Sequence, residues 1–347
     1  MNATSVWLRA ETRPTERRAP LVPDDARRLV AAGVPVTVED SPRRCFPIGE
    51  YEIAGCDVAE EGAWVGAPTD AIVLGLKELP DSPATLRHTH VFFGHAFKRQ
   101  PGAARLLRRF RDGGGTLLDL EYLVDAEGRR LAAFGYWAGY LGAALAVLHV
   151  SGTLTAPLTG FNRDELDAAL ARVAGTTGLA TLVTGALGRS GRGARDALAV
   201  AGVVPTCWDL DETRDLDKGA LLAHDVLVNA VLASGPTQPF VDKDDVADPA
   251  RRLTTIADVS CDVGGAYNVL PIYDSTTSWT QPVRRLWDIP PLDLIAIDNL
   301  PSLLAVEAST DFSAQLAPLL PSTGQQGSAW DAALASFRSA TKELVGD

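Results

Sequence analysis

The sequence predicts an α/β protein of two domains, each a mostly parallel sheet with helices on both faces. Three observations predict it. The 347 residues exceed what one hydrophobic core usually serves. Fully apolar strand-like segments alternate with helix-like segments. That alternation occurs twice, on either side of a long segment rich in small apolar residues.

In the first run, Val6 to Arg9 reads as a short strand. Pro23-Asp24-Asp25 opens a helix through Leu29 and Val30, with Gly33 just past its end. Val34 to Val38, Asp70 to Lys77, His90 to His95 and Thr116 to Leu120 read as strands. Ala103 to Phe110 reads as a basic amphipathic helix stopped by Gly113-Gly114-Gly115, its Arg105, Arg108, Arg109 and Arg111 forming a solvated face. Arg130 to Leu148 reads as one long buried helix, and Ser151 to Gly160 as a loop. Asn162 is placed to cap the next helix, with Glu165 in the capping-box position. The second run has strands at Ala180 to Thr184, Val203 to Trp208, Asp225 to Val231, Thr254 to Val259 and Leu292 to Ile297. Ala329 to Val345 closes the chain as an amphipathic helix.

Composition narrows the function classes. The net charge of −12, from 32 basic and 44 acidic side chains, repels phosphate backbones and argues against a nucleic-acid partner. No apolar run approaches the roughly 20 residues that cross a bilayer, and the N-terminus has no secretory pattern. Cys45, Cys56, Cys207 and Cys261 are scattered without ligand spacing, so they read as buried thiols of a cytoplasmic protein, with no metal expected.

The motif that carries chemistry is Gly185-Ala186-Leu187-Gly188-Arg189-Ser190-Gly191, between the strand ending at Thr184 and a helix over Ala194 to Ala201. Gly185 permits a tight turn, Gly188 lets a pyrophosphate approach backbone amides, and Gly191 lets helix and strand pack closely. The spacing is GxxGxxG rather than GxGxxG. Asp209 follows the next strand, about 20 residues on, where an acid accepts hydrogen bonds from ribose hydroxyls. These features predict a Rossmann-like domain with NAD as cofactor. Gly185, Gly188, Arg189, Ser190, Gly191 and Asp209 are its candidate contacts, and Asp209 disfavours a 2′-phosphate.

Several strings carry a resemblance. Leu8-Arg9-Ala10-Glu11-Thr12 with Glu16 and Arg18, Val38-Glu39-Asp40-Ser41-Pro42, Gly75-Leu76-Lys77-Glu78 and Asp119-Leu120-Glu121-Tyr122-Leu123 lie in the first part of the chain. Gly128-Arg129-Arg130, Ala132-Ala133-Phe134-Gly135, the glycine loop, Trp208-Asp209 with Glu212-Thr213, and Ile297-Asp298 with Leu300-Pro301-Ser302-Leu303-Leu304 follow in order. Together they resemble the NAD-dependent, lysine-forming saccharopine dehydrogenases of fungi, which share a two-domain architecture with alanine dehydrogenase. The resemblance implies a substrate domain from residues 1–134 with 303–347, an NAD-binding domain from residues 135–302, and a cleft between them. There are departures: Leu148 to Arg163 is abridged, Ser190 replaces a family cysteine, Asp298-Asn299 stands where the family has Asp-His, and Tyr273 to Leu292 agrees poorly.

The implied reaction is oxidative cleavage of saccharopine to lysine and 2-oxoglutarate, or its reverse. Oxidising a secondary amine requires a neutral base for the nitrogen proton, and hydrolysing the resulting imine requires a group that takes and returns protons near neutrality. The resemblance implies Lys77 and His95 for these roles, and both lie at ends of expected strands. It implies Arg18, Lys98, Glu121 and Arg130 as substrate-binding groups, with Asp298 near the cleft. A small amino-acid or keto-acid partner is expected, with the oligomeric state open and a monomer compatible. Two other readings stay open: the same imine chemistry on another amino-acid–keto-acid conjugate, and a non-catalytic NAD-binding sensor, which has no need of Lys77 and His95.

Overall fold

The computed structural model describes residues 5–97, 102–175 and 178–343. The chain forms two compact units, one from the residues up to Ala133 together with those from Ala305 onward, the other from Phe134 to Leu304. Each contains a six-stranded sheet.

In the first unit the strands are β1 (Val6–Leu8), β2 (Val36–Glu39), β3 (Asp57–Ala59), β4 (Ile72–Leu74), β5 (Thr89–Phe92) and β6 (Thr116–Asp119). Their spatial order is β3-β2-β1-β4-β5-β6, and every pair is parallel. The direction of winding therefore reverses at β1, between β2 and β4. Burial on both faces explains why β4 is wholly apolar (Ile72-Val73-Leu74) rather than alternating. Helices Pro23–Ala31, Ile48–Ile53 and Ala103–Gly113 connect the strands, and Ala305–Leu316 and Asp331–Glu343 complete the unit. The Ser309 and Ser313 hydroxyls accept hydrogen bonds from the Ala19 and Val22 N–H groups, and Ser313 donates to the buried Asp25 carboxylate. Phe337 packs edge-on to Phe110 in the core.

The second unit has β7 (Thr181–Thr184), β8 (Thr206–Trp208), β9 (Val226–Asn229), β10 (Thr255–Asp258), β11 (Arg284–Trp287) and β12 (Leu292–Ile295), in the order β11-β12-β10-β9-β7-β8. All pairs are parallel except β11 with β12, an antiparallel edge in the segment where the sequence shows no strand pattern. The helix Gly135–Val150 is buried almost along its whole length and crosses helix Arg189–Val200 with backbones in contact. A Cβ on Gly139 would fall 1.8 Å from the Ser190 carbonyl oxygen, and one on Gly193 would fall 1.9 Å from that of Tyr136. Asn162 caps helix Arg163–Val173 by accepting from the Asp164 and Glu165 N–H groups. No helix among the described residues is long and apolar enough to cross a membrane.

Three expectations are corrected. The helix expected from Arg130 begins at Gly135, because Arg130 bridges Val124 in an antiparallel turn. The Asp125 carboxylate accepts from the Glu127 and Arg129 N–H groups and Gly128 adopts φ +77°, a local alternative that outcompetes the helix. Arg109 is not on a solvated face but buried, donating to the Pro80 and Pro83 carbonyls. Cys207 is exposed rather than buried.

One core feature has a pH consequence. His90 on β5 is fully buried, edge-on to Trp64 at 5.1 Å and Phe110 at 5.3 Å, with neither ring nitrogen hydrogen-bonded. Burial holds its pKa well below the ordinary imidazole value, with Arg9, His88 and Arg109 pushing the same way. The unfolded chain then binds a proton that the fold refuses. Stability is lost as pH falls below about 6.5, by up to about 1.4 kcal/mol per pH unit, and is unaffected by His90 above that value. Urea unfolding of wild type and His90→Phe across this range measures the effect: the gap in their stabilities should narrow, or reverse, toward acid pH.

Candidate active site

In a parallel sheet every strand delivers its following residue to the same edge. The first unit therefore brings the segments after β1, β4, β5 and β6 together: Arg9-Ala10-Glu11, Gly75-Leu76-Lys77, Phe93-Gly94-His95 and Leu120-Glu121. His95 Nδ1 lies 3.3 Å from Glu121 Oε1. The histidine adopts φ +48°, and its ring stacks on Phe93, which in turn touches Phe312. A Cβ on the preceding Gly94 would lie 2.8 Å from Leu117 Cδ2 and 3.3 Å from Asp119 Oδ2, so a side chain there would have to displace one of them.

The hydrogen bond that His95 Nδ1 donates to the Glu121 carboxylate raises the His95 pKa. Burial opposes it, the charges of Glu121 and Asp119 add to it, and the charge of Lys77 works against it. Lys77 and His95 are thus electrostatically coupled. Asp119, fully buried at the end of β6, accepts from the Glu121 N–H at 3.0 Å, and burial raises its pKa.

The other sequence candidates are distributed differently. Arg18 is buried and bidentate to the buried Glu16, with contacts of 2.8 and 2.6 Å, while its own N–H reaches the same carboxylate at 3.0 Å. Arg130 is exposed on one arm of the turn described above. Lys98 lies outside the described residues. Asp298 is exposed after β12 and belongs to the second unit.

The glycine loop of the second unit follows β7 directly. Gly185 adopts φ +69°, and helix Arg189–Val200 starts immediately after Gly188, earlier than the pattern indicates. A Cβ on Gly191 would lie 2.1 Å from the Gly185 carbonyl oxygen, so this position holds loop and helix together. The helix has no side-chain cap, and Gly188 leaves its N-terminal amides uncovered by a side chain. Such an N-terminus suits a phosphate group. Asp209, after β8, accepts from the Leu187 N–H at 2.8 Å and the Leu210 N–H at 3.0 Å. This loop, helix and acid fit a dinucleotide.

Two features escaped the sequence reading. Leu187 and Leu210 flank Asp209 and are 72% and 74% exposed, an apolar pair beside the acid; their signal was an apolar residue inside the loop and another just after the acid. A buried chain of hydrogen bonds also joins the ends of three strands. Thr184 donates to Asn229, Asn229 to Asp258, and Tyr273 to Asp258. No sequence spacing announces it.

The alanine dehydrogenase/PNT N-terminal domain family matches residues 7–141. The saccharopine dehydrogenase [NAD(+), L-lysine-forming] of Emericella nidulans is 41% identical, covering 92% of each chain. The protein of that name in Schizosaccharomyces pombe is 39% identical over 92% of this chain and 93% of its own. This chain belongs to the saccharopine dehydrogenase family. The Yarrowia lipolytica family member is 40% identical over 95% of both chains. An L-alanine dehydrogenase structure, 17% identical, superposes with a TM-score of 0.70 over 98% of this chain and 99% of its own, which shows a shared fold.

In this family member the Glu121–His95 contact is directly testable. Glu121→Gln removes the charge that raises the His95 pKa, so the imidazole midpoint read by NMR should fall. An unchanged midpoint would show that Glu121 does not set it.

Proposed function

We propose that the chain is an NAD-dependent oxidoreductase acting on the CH–NH bond of saccharopine, releasing L-lysine and 2-oxoglutarate or running the reverse condensation. The observation that carries this reading is identity near 40% to saccharopine dehydrogenases over more than nine-tenths of the chain. Lys77 and His95, at one sheet edge, supply the groups this chemistry needs. Residues 1–134 with 303–347 serve as the substrate domain and residues 135–302 bind the cofactor, in a cytoplasmic enzyme.

NAD, when bound, supplies the acceptor for the hydride leaving the glutamyl α-carbon. The amides after Gly188, with Arg189, Ser190 and Gly191, would hold the pyrophosphate, Asp209 would accept from the ribose hydroxyls, and Leu187 and Leu210 would offer the adenine an apolar surface. Lys77 Nζ takes the proton from the secondary amine. His95, with Nδ1 engaged by Glu121, uses Nε2 to take a proton from the water that attacks the imine carbon, returns it to the lysine nitrogen, and takes the hydroxyl proton of the resulting carbinolamine as its C–N bond breaks to the keto acid and free amine. Arg18, oriented by Glu16, and Lys98 and Arg130 anchor carboxylates by charge-assisted bonds. Glu121 is the candidate partner of an amino group, and Asp298, on the second unit, is a further candidate substrate contact.

The test is NADH oxidation by the purified protein with 2-oxoglutarate and a panel of amines. Lysine should be strongly preferred over amines lacking its carboxylate or distal amine, and Lys77→Met should cut turnover by at least about 100-fold, the lower scale for a general base, with NADH affinity retained. A different preferred amine would move the assignment to another amino-acid–keto-acid conjugate. Full turnover in Lys77→Met at saturating substrate would remove Lys77 from the mechanism.

Cofactor choice gives a second prediction. NAD should be preferred over NADP, and Asp209→Ala should narrow the preference by relieving repulsion of the 2′-phosphate. Comparing kcat/KM for both cofactors in wild type and variant measures it; a wild-type preference for NADP would sink the ribose assignment.

A further inference from the structure

The strings Leu8-Arg9-Ala10-Glu11 and Gly75-Leu76-Lys77 meet in space. Backbone bonding between β1 and β4 ends where the Arg9 N–H donates to the Leu74 carbonyl at 3.0 Å. The two chains part beyond that bond, because winding reverses here. The next backbone groups of the β4 side, the N–H groups of Leu76 and Lys77 and the carbonyl of Lys77, have no strand beside them to pair with on the β1 side. Side chains take that place. Glu11 Oε1 accepts from the Leu76 N–H at 2.6 Å and Oε2 from the Lys77 N–H at 3.0 Å. Arg9 Nη2 donates to the Lys77 carbonyl.

Arg9 and Glu11 act as one body. Arg9 Nη1 reaches Glu11 Oε2 at 3.4 Å and the Ala10 carbonyl at 3.2 Å, and both side chains are buried. The guanidinium lies 5.7 Å from the centre of the Phe92 ring. It also fills the space where residue 75 would carry a side chain: a Cβ there would lie 2.3 Å from Nε and 2.5 Å from Cζ. Glycine at 75 is therefore a condition of the arrangement.

We propose that Arg9, Glu11 and Gly75 are positioning residues for Lys77, a buried ion pair that stands in for a missing strand and fixes where the lysine leaves the sheet edge. The proposal rests on the reading of Lys77 as the base. A buried ion pair is a poor source of net stability, since apolar replacements are often as stable. What it offers here is two acceptors and a donor in fixed relation to the N–H and carbonyl of one residue. A base displaced by about 1 Å loses much of its effectiveness, on the order of 100-fold.

The test uses Gly75→Ala, Arg9→Lys and the double variant Arg9→Met/Glu11→Leu. The double variant removes both charges together and so leaves neither buried alone. Three quantities are read: kcat against KM, the pH profile of kcat, and the ¹³C resonance of reductively methylated Lys77. The chain has five lysines, so the Lys77 signal is assigned by its loss in Lys77→Arg.

In variants that keep the wild-type circular dichroism spectrum, kcat should fall at least about tenfold while the substrate KM stays within about threefold. The Lys77 resonance and its titration midpoint should move, with the other lysine signals unmoved. Folded variants with wild-type kcat, pH profile and Lys77 resonance would overturn the proposal. If Lys77→Met itself keeps full turnover, the base reading fails separately, and the resonance decides the positioning claim: displaced in the variants supports it, unmoved overturns it.

Discussion

The pairing of β1 with β2 on one side and β4 on the other is the constraint on which the first unit's chemistry depends. Winding reverses at β1, so the connections that follow β1 and β4 leave in opposite directions at their carboxyl ends, and there the two strands stop pairing through their backbones. Lys77 sits at that point, with Arg9 and Glu11 completing its hydrogen bonds. His95 and Glu121 arrive at the same edge from β5 and β6, and the ordered edge keeps them 3.3 Å apart. The backbone of Lys77 has both its N–H and its carbonyl hydrogen-bonded there.

The second unit solves a related problem by close approach of backbones. Helices Gly135–Val150 and Arg189–Val200 touch through Gly139 and Gly193, and the contact passes through Ser190, inside the glycine loop. The helix end that suits a phosphate is thereby fixed from behind by a helix that is itself buried. The Thr184–Asn229–Asp258–Tyr273 chain fixes the ends of β7, β9 and β10 in front. The glycine loop is thereby packed against fixed structure on both sides.

Much of this was legible in the sequence because it is local. The strands around Ile72 to Leu74 and Thr181 to Thr184 announce themselves as apolar runs, and the glycine loop carries its own spacing. Asn162 caps its helix through neighbours two and three residues away. What was illegible is non-local. Arg109 looks like any arginine on a basic helix until the Pro80 and Pro83 carbonyls are placed beside it. Arg18 reads as a free anchor until Glu16 is seen to hold it. The partners of Asn229 and Asp258 lie on different strands, and β11 is recognisable only through its antiparallel pairing with β12.

The order in which the chain is made bears on how these units mature. The second unit is continuous from Phe134 to Leu304, whereas the first is closed by residues from Ala305 onward. Ser309, Ser313 and Phe337, which tie down Ala19, Val22, Asp25 and Phe110, leave the ribosome after the whole second unit. The second unit has all its strands in hand while the first still lacks its closing helices. During synthesis the N-terminal sheet waits, with part of its apolar surface uncovered, for roughly the time needed to add 170 residues, on the order of 10–30 s at ordinary elongation rates. Over that interval the surface that Ala305–Leu316 and Asp331–Glu343 later cover stays open, and exposed apolar surface of this kind is what makes incomplete units prone to wrong association.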